Sequence, residues 1–144
     1  MTEGIQVIHY DRLNNTPAVR LATLGWLDGN SRGLGENVVN LYSCLKAFVA
    51  FAPNGRDLLP AGVMTYDVIE NTNEFFIYQS YVLEEFRGRG LYTAMWNSIV
   101  AKGIQDKVHR IKSATSMRNI AMRSIAQRQG RVEEAVTLTF ELGQ

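Results

Sequence analysis

Residues 81–96, YVLEEFRGRGLYTAMW, bring two glycines and two arginines together where a strand-like run meets a helical pattern. A strand that ends in RGRGLY and enters a helix leaves the first-turn N–H groups without intrahelical partners, all aimed at one spot. The helix macrodipole adds roughly half a positive charge there. Gly88 and Gly90 permit close approach of the backbone, and Arg87 and Arg89 supply charged donors. This is the chemistry of an anion site, and a pyrophosphate suits it. Glycines before helices also serve sterics alone, so on these residues the anion site and a plain turn stand level. The third glycine of a GxGxxG pattern would fall on Thr93, and no GxxxxGK[ST] occurs, so neither dinucleotide-binding nor P-loop chemistry is supported.

Other reactive types are sparse. The lone Cys44 has no partner for an internal disulfide and no Cys or His at metal-ligand spacing, which sets aside zinc and disulfide scaffolds. Nothing links His9 or His109 to it, so Cys44 reads as a small buried hydrophobe rather than a nucleophile. No metal site is expected. Fifteen basic against fourteen acidic side chains leave a charge of +1, which argues against non-specific nucleic-acid or membrane-surface binding. The first dozen residues lack a signal-peptide pattern, and no run of about 20 apolar residues could span a bilayer. The chain therefore reads as cytoplasmic.

The elements that must position the glycine junction follow from periodicity. With 144 residues, 46% of them hydrophobic, one compact domain over residues 1–144 is expected. Residues 5–10 read as a first strand, and Thr16-Pro17 as a helix start leading through Leu21 and Leu24. Residues 25–37, with four glycines, read as a mobile connection, followed by a short helix over 37–42. Residues 45–52 and 61–69 read as two strands of a hairpin turned at Asn54-Gly55. The run 74–84 is apolar on both faces, as a central strand is. Leu91, Met95, Ile99 and Gly103 mark one stripe of a helix reaching about residue 105. A strand over 109–116, a helix over 119–129 ended by Gly130 and a final strand over 131–142 complete an α/β order that does not alternate strictly.

With these residues in place, VLEEFRGRGLYTAMW resembles the acetyl-CoA signature of the GNAT (GCN5-related N-acetyltransferase) superfamily, in which a strand runs into [QR]-x-x-G-x-[GA] and a helix. Arg87, Gly88, Arg89, Gly90 and Leu91 fit in register, while Tyr92 occupies the slot usually held by Gly or Ala. RNIAMRSIAQRQGR, residues 118–131, is similar to the family's later block, matching in kind at Asn119, Ile125, Arg128 and Gly130. The resemblance implies a single-domain fold with a mixed, mostly antiparallel sheet flanked by helices, its fourth and fifth strands splayed apart. It implies acetyl-CoA as acyl donor, with pantetheine pairing along Tyr81, Val82 and Leu83, and the cofactor also touching Arg87, Gly88, Arg89, Gly90, Leu91, Tyr92 and Asn119. Met117, Arg118, Met122 and Arg123 would lie near the cofactor or its adenosine.

The implied reaction is direct attack of a primary amine, of a small molecule or a protein, on the thioester in a ternary complex, with a backbone N–H near Val82 facing the oxyanion. A free amine of pKa about 10.4 is neutral roughly once in a few thousand at pH 7, so its proton must be removed. The family's carboxylate on the fourth strand has no counterpart between Phe75 and Leu83, and its tyrosine acid falls on Ala126. Candidates that remain are Tyr78 and Ser80, taken to line one acceptor slot by strand period, Ser124 near the sulfur, and water relays to Glu74, Asp67 or Glu70, the last two on the third strand. A substrate amine of low pKa would need less help, since positioning alone supplies several kcal/mol. Trp26, Asp28 and Arg32 are the acceptor-binding candidates. A catalytically silent CoA-binding or interaction module is the alternative function, and a nucleobase-modifying enzyme a third, disfavoured by the charge balance. Oligomeric state stays open, a homodimer included.

Overall fold

A computed structural model describes residues 4–32 and 45–143, which form two compact units, one ending at Ala114 and the other beginning at Thr115. The first holds β1 (Gln6–Tyr10), α1 (Pro17–Ser31), β2 (Lys46–Asn54), β3 (Asp57–Ile69), β4 (Glu74–Val82), a single 3-10 turn (Glu84–Phe86), α2 (Leu91–Gln105) and β5 (Arg110–Ser113). The sheet runs in chain order β1-β2-β3-β4-β5, antiparallel except for the parallel β4–β5 pair. The hairpin between β2 and β3 turns at Gly55, whose φ of +66° is one that glycine adopts without penalty.

Strand alternation divides the core between the two faces. On one face, Phe48, Met64, Tyr66, Phe75 and Ile77 meet the α2 stripe of Leu91, Met95 and Ile99, all buried. On the other, Leu13, Ala18 and Leu21 pack with Ala47, Val49 and Val63. Burying side chains of this size contributes about 1.5–3 kcal/mol each. β4 therefore sits between two helical layers, as its two-faced apolar run predicts.

α1 departs from the sequence expectation. Residues 25–31 continue the helix to Ser31 instead of forming a mobile connection. Gly25 does not break the helix, because packing requires it: a Cβ there would fall 2.8 Å from Tyr81 Cβ and into contact with the Gln79 amide nitrogen. Gln79 in turn donates from Nε2 to the Ala22 carbonyl at 2.8 Å, so the glycine marks the point where α1 presses on β4. The short helix expected over 37–42 and Cys44 lie outside the described residues.

The second unit contains α3 (Ile120–Arg128). Asn119 caps its start, accepting from the Met122 N–H at 3.2 Å. Gly130, at φ +80°, ends it with paired bonds from Gly130 N–H to Gln127 O and from Arg131 N–H to Ala126 O. The final strand expected over 131–142 does not form: the segment has no regular structure, and Val136, Leu138, Phe140 and Leu142 are exposed. Alternation supplies a strand's pattern but not its ladder, and a strand needs a partner for its backbone groups.

Candidate active site

β5 pairs with β4 only over Glu74 to Ile77, so β4 continues to Val82 with no strand from the described residues on that side. The direction of its backbone groups is set at the far end. Leu83 N–H donates to Ala61 O at 2.8 Å, toward β3. By alternation Val82, one residue earlier, turns its N–H and C=O to the open edge, and Ser80 does the same. Arg87 accounts for the Val82 carbonyl, donating from Nε at 2.9 Å, which leaves the Val82 N–H as the edge donor. Gly62, opposite Val82 on β3, keeps this end close-packed, since a Cβ there would lie 3.1 Å from Met95 Cε.

The chain then enters α2 through two residues of left-handed backbone, Gly88 (φ +77°) and Gly90 (φ +89°). No atom lies within 4 Å of where a Gly88 Cβ would project, so backbone conformation alone demands glycine there and the surface above it is open. Gly90 is the N-cap of α2 and brings no capping side chain, and the first turn holds no acidic residue. The other two helices are capped by their own side chains, Thr16 for α1 and Asn119 for α3. Among the described residues α2 is thus the helix whose start has no side-chain cap, and a start of this kind suits an anion. Arg89 lies over the Phe86 ring at 4.9 Å. Tyr92, at the position where the resemblance implies Gly or Ala, packs half-buried against the α2-side core.

A bulge reorders the candidate catalytic residues. Thr65 opposes Gln79 and Tyr66 opposes Ile77, so Tyr78 is the extra residue of β4. Tyr78 packs on the α1-side core, 5.1 Å from the Phe76 ring, whereas Ser80 pairs with Met64 on the α2 side. The expectation that Tyr78 and Ser80 share one slot is thus overturned, because an inserted residue shifts the period of two. The three relay carboxylates stand away from Val82. Glu74 is buried at the opposite end of β4, eight residues or roughly 26 Å from Val82, beside Arg110 and Lys112 at 3.5 and 3.7 Å. Asp67 opposes Phe76 at that same end, and Glu70 lies beyond β3 altogether.

The acceptor candidates fall on and just after α1. Trp26 is exposed, and Asp28 lies 3.7 Å from Arg32 Nε and 4.0 Å from an Arg87 terminal nitrogen. Sequence reasoning placed Asp28 toward an acceptor and missed its link to Arg87, which only the extension of α1 beyond Gly25 creates. In the second unit Ser124 is half-buried on α3, Asn119 is occupied as a cap, and Arg123 holds Glu133 through two bonds of 2.7 and 3.1 Å and the Met117 carbonyl at 3.0 Å. Hydrogen bonding and the charge of Arg123 pull the Glu133 carboxyl below its ordinary value. Among the described residues no group of three or more His, Cys, Asp or Glu gathers to hold a metal ion, and no helix is long and apolar enough to cross a membrane.

Comparison with solved structures returns the same architecture. AAC(6')-Iy in complex with the bisubstrate analog CoA-S-monomethyl-acetylneamine is 18% identical, with 96% of this chain and 99% of that one covered at a TM-score of 0.66. The aminoglycoside 6'-N-acetyltransferase AAC(6')-Ih from Acinetobacter baumannii is 15% identical, covering 98% and 99% at 0.68. A ribosomal-protein-alanine N-acetyltransferase from Brucella melitensis biovar Abortus 2308 is 10% identical, covering 96% and 99% at 0.66. A comparison with curated proteins by sequence finds no match. The acetyltransferase (GNAT) family matches residues 32–130, a stretch that begins at the end of α1 and includes the open edge of β4, the glycine turn and α3. With β4 running on past its pairing with β5 into a helix start that has no side-chain cap, the chain belongs to the GNAT acetyltransferase family.

Proposed function

We propose that the chain, acting as one catalytic domain, transfers an acetyl group from acetyl-CoA to a primary amine by direct attack in a ternary complex. The observation that carries this reading is the continuity of the open β4 edge with the uncapped start of α2, because one extended ligand with an amide-bearing arm and a diphosphate matches both. Acetyl-CoA supplies the activated acyl group as a thioester. The chain's own part is positioning and electrostatics. Residues 88–91 face the diphosphate, Val82 N–H points to where negative charge grows on the thioester oxygen, and Ser80 lines the same edge. A preorganised N–H donor of this kind is worth about 3–4 kcal/mol of transition-state stabilisation.

Small-molecule amines are the favoured acceptors. Solved structures of this fold include aminoglycoside acetyltransferases and a ribosomal-protein-alanine N-acetyltransferase, so the acceptor panel should include aminoglycosides and alanine-bearing peptides. A second reading, a silent CoA-binding module, draws on one observation: among the described residues Asp28 stands beside Arg87 and Arg32, while Glu74, Asp67 and Glu70 sit at the far end of the sheet. Thermal shift with acetyl-CoA tests the shared premise. Stabilisation of the parent that falls in Gly88→Val is expected, and no stabilisation of the parent would remove both readings. CoA release over the amine panel then separates them, since binding without release leaves the silent module.

A further inference from the structure

Arg87 is engaged on three sides. Its Nε donates to Val82 O at 2.9 Å, its guanidinium lies 5.6 Å from the centroid of the Tyr81 ring, and a terminal nitrogen stands 4.0 Å from Asp28 Oδ2. Asp28 belongs to the last turn of α1, an element fixed against the same stretch of β4 by the Gly25 contact and the Gln79–Ala22 bond. The carboxylate thus approaches Arg87 from a rigid helix, and Arg87 passes that constraint to the last peptide of β4. Side chains as exposed as Asp28 (33%) and Arg87 (42%) gain little stability from such a pair. What the pair can supply is direction. Guanidinium donors form a rigid fork, so a carboxylate on one side fixes where Nε–H points on the other.

The geometry points to Asp28 as a positioning residue for the acyl-transfer centre: by orienting Arg87 it holds the Val82 carbonyl, and with it the Val82 N–H on the open edge. This rests on the proposed acetyl transfer for its catalytic consequence, but not for its physical one. It also assigns Asp28 a task different from contact with the acceptor. Because Arg87 is turned to Val82 and Asp28, the glycine turn and the α2 N-terminus carry the diphosphate, and loss of Asp28 acts on turnover more than on CoA affinity.

Two readouts on the full chain test it. In the first, exchange of the Arg87 Nε–H signal is followed by NMR. It is slow in the parent, fast in Asp28→Ala, and slow again in Asp28→Glu, which restores the carboxylate. Equal exchange in the parent and Asp28→Ala would overturn the proposal whether or not the protein is an enzyme. In the second, Asp28→Ala lowers kcat about fivefold to tenfold while the CoA Kd moves less than twofold. Added to Arg87→Ala, it lowers kcat no further. Multiplicative losses in the double variant, or a loss seen in acceptor KM alone, would show instead that Asp28 meets the acceptor. A parent that releases no CoA from any amine would count against the proposed function, and the exchange experiment would still decide the role of Asp28.

Discussion

His9 Nε2 lies 2.7 Å from the hydroxyl oxygen of Tyr66, a bond that joins the edge strand β1 to a fully buried tyrosine of β3. Burial first, then the charge of Lys102, holds the imidazole below its ordinary value of 6.5. The unfolded chain therefore takes up a proton at a higher pH than the folded one, and stability is lost as pH falls below about 6.5. Urea midpoints measured between about pH 8 and pH 5 should drop for the parent. In His9→Phe the drop should shrink, from a stability lowered at every pH by about 1–3 kcal/mol for the stranded Tyr66 hydroxyl. Equal pH dependence in both proteins would show that the acid lability lies elsewhere.

Two glycines of α1 should respond to alanine with opposite signs. At Gly29 nothing lies within 4 Å of an added Cβ, so Gly29→Ala gains helix propensity and stabilises by up to about 1 kcal/mol. At Gly25 the same gain is overridden by contact with Gln79 and Tyr81, and Gly25→Ala costs about 1–3 kcal/mol. Thermal melts of the two variants compare them directly. A stabilised Gly25→Ala would mean that α1 does not press on β4.

Thr65 and Gln79 face each other at the bulge, and Thr65 Oγ1 and Gln79 Oε1 are buried without a protein hydrogen-bond partner. An isosteric Thr65→Val removes one orphan and should change stability by less than about 1 kcal/mol, or raise it. A loss of several kcal/mol in denaturant unfolding would reveal a bound water or another partner for the hydroxyl.

Asn119 is a helix cap in this structure, and substitution separates capping from cofactor contact. Asn119→Ala should destabilise α3 by about 1 kcal/mol, whereas Asn119→Asp keeps the cap. CoA affinity measured by calorimetry should be the same in Asn119→Asp as in the parent. A weakened affinity in that variant would show that Asn119 also meets the cofactor.

The sequence by itself determined the parts that depend on local chemistry. RGRGLY is a strand-to-helix turn because two positive-φ positions require glycine, the Leu91, Met95 and Ile99 stripe is a core face because the helix repeats every 3.6 residues, and Asn54-Gly55 is a hairpin turn. What depends on a distant partner was decided only by the fold. Gly25 reads as a loop residue until β4 is laid against it, and residues 131–142 read as a strand although alternation says nothing of what they pair with. Tyr78 and Ser80 share a face by count and lose it to one inserted residue. Asp28 and Arg87 lie 59 positions apart in the chain, so their meeting rests on the packing of α1 across β4 and on no local signal. Conformational preference is written residue by residue, while contact between elements depends on how whole faces pack.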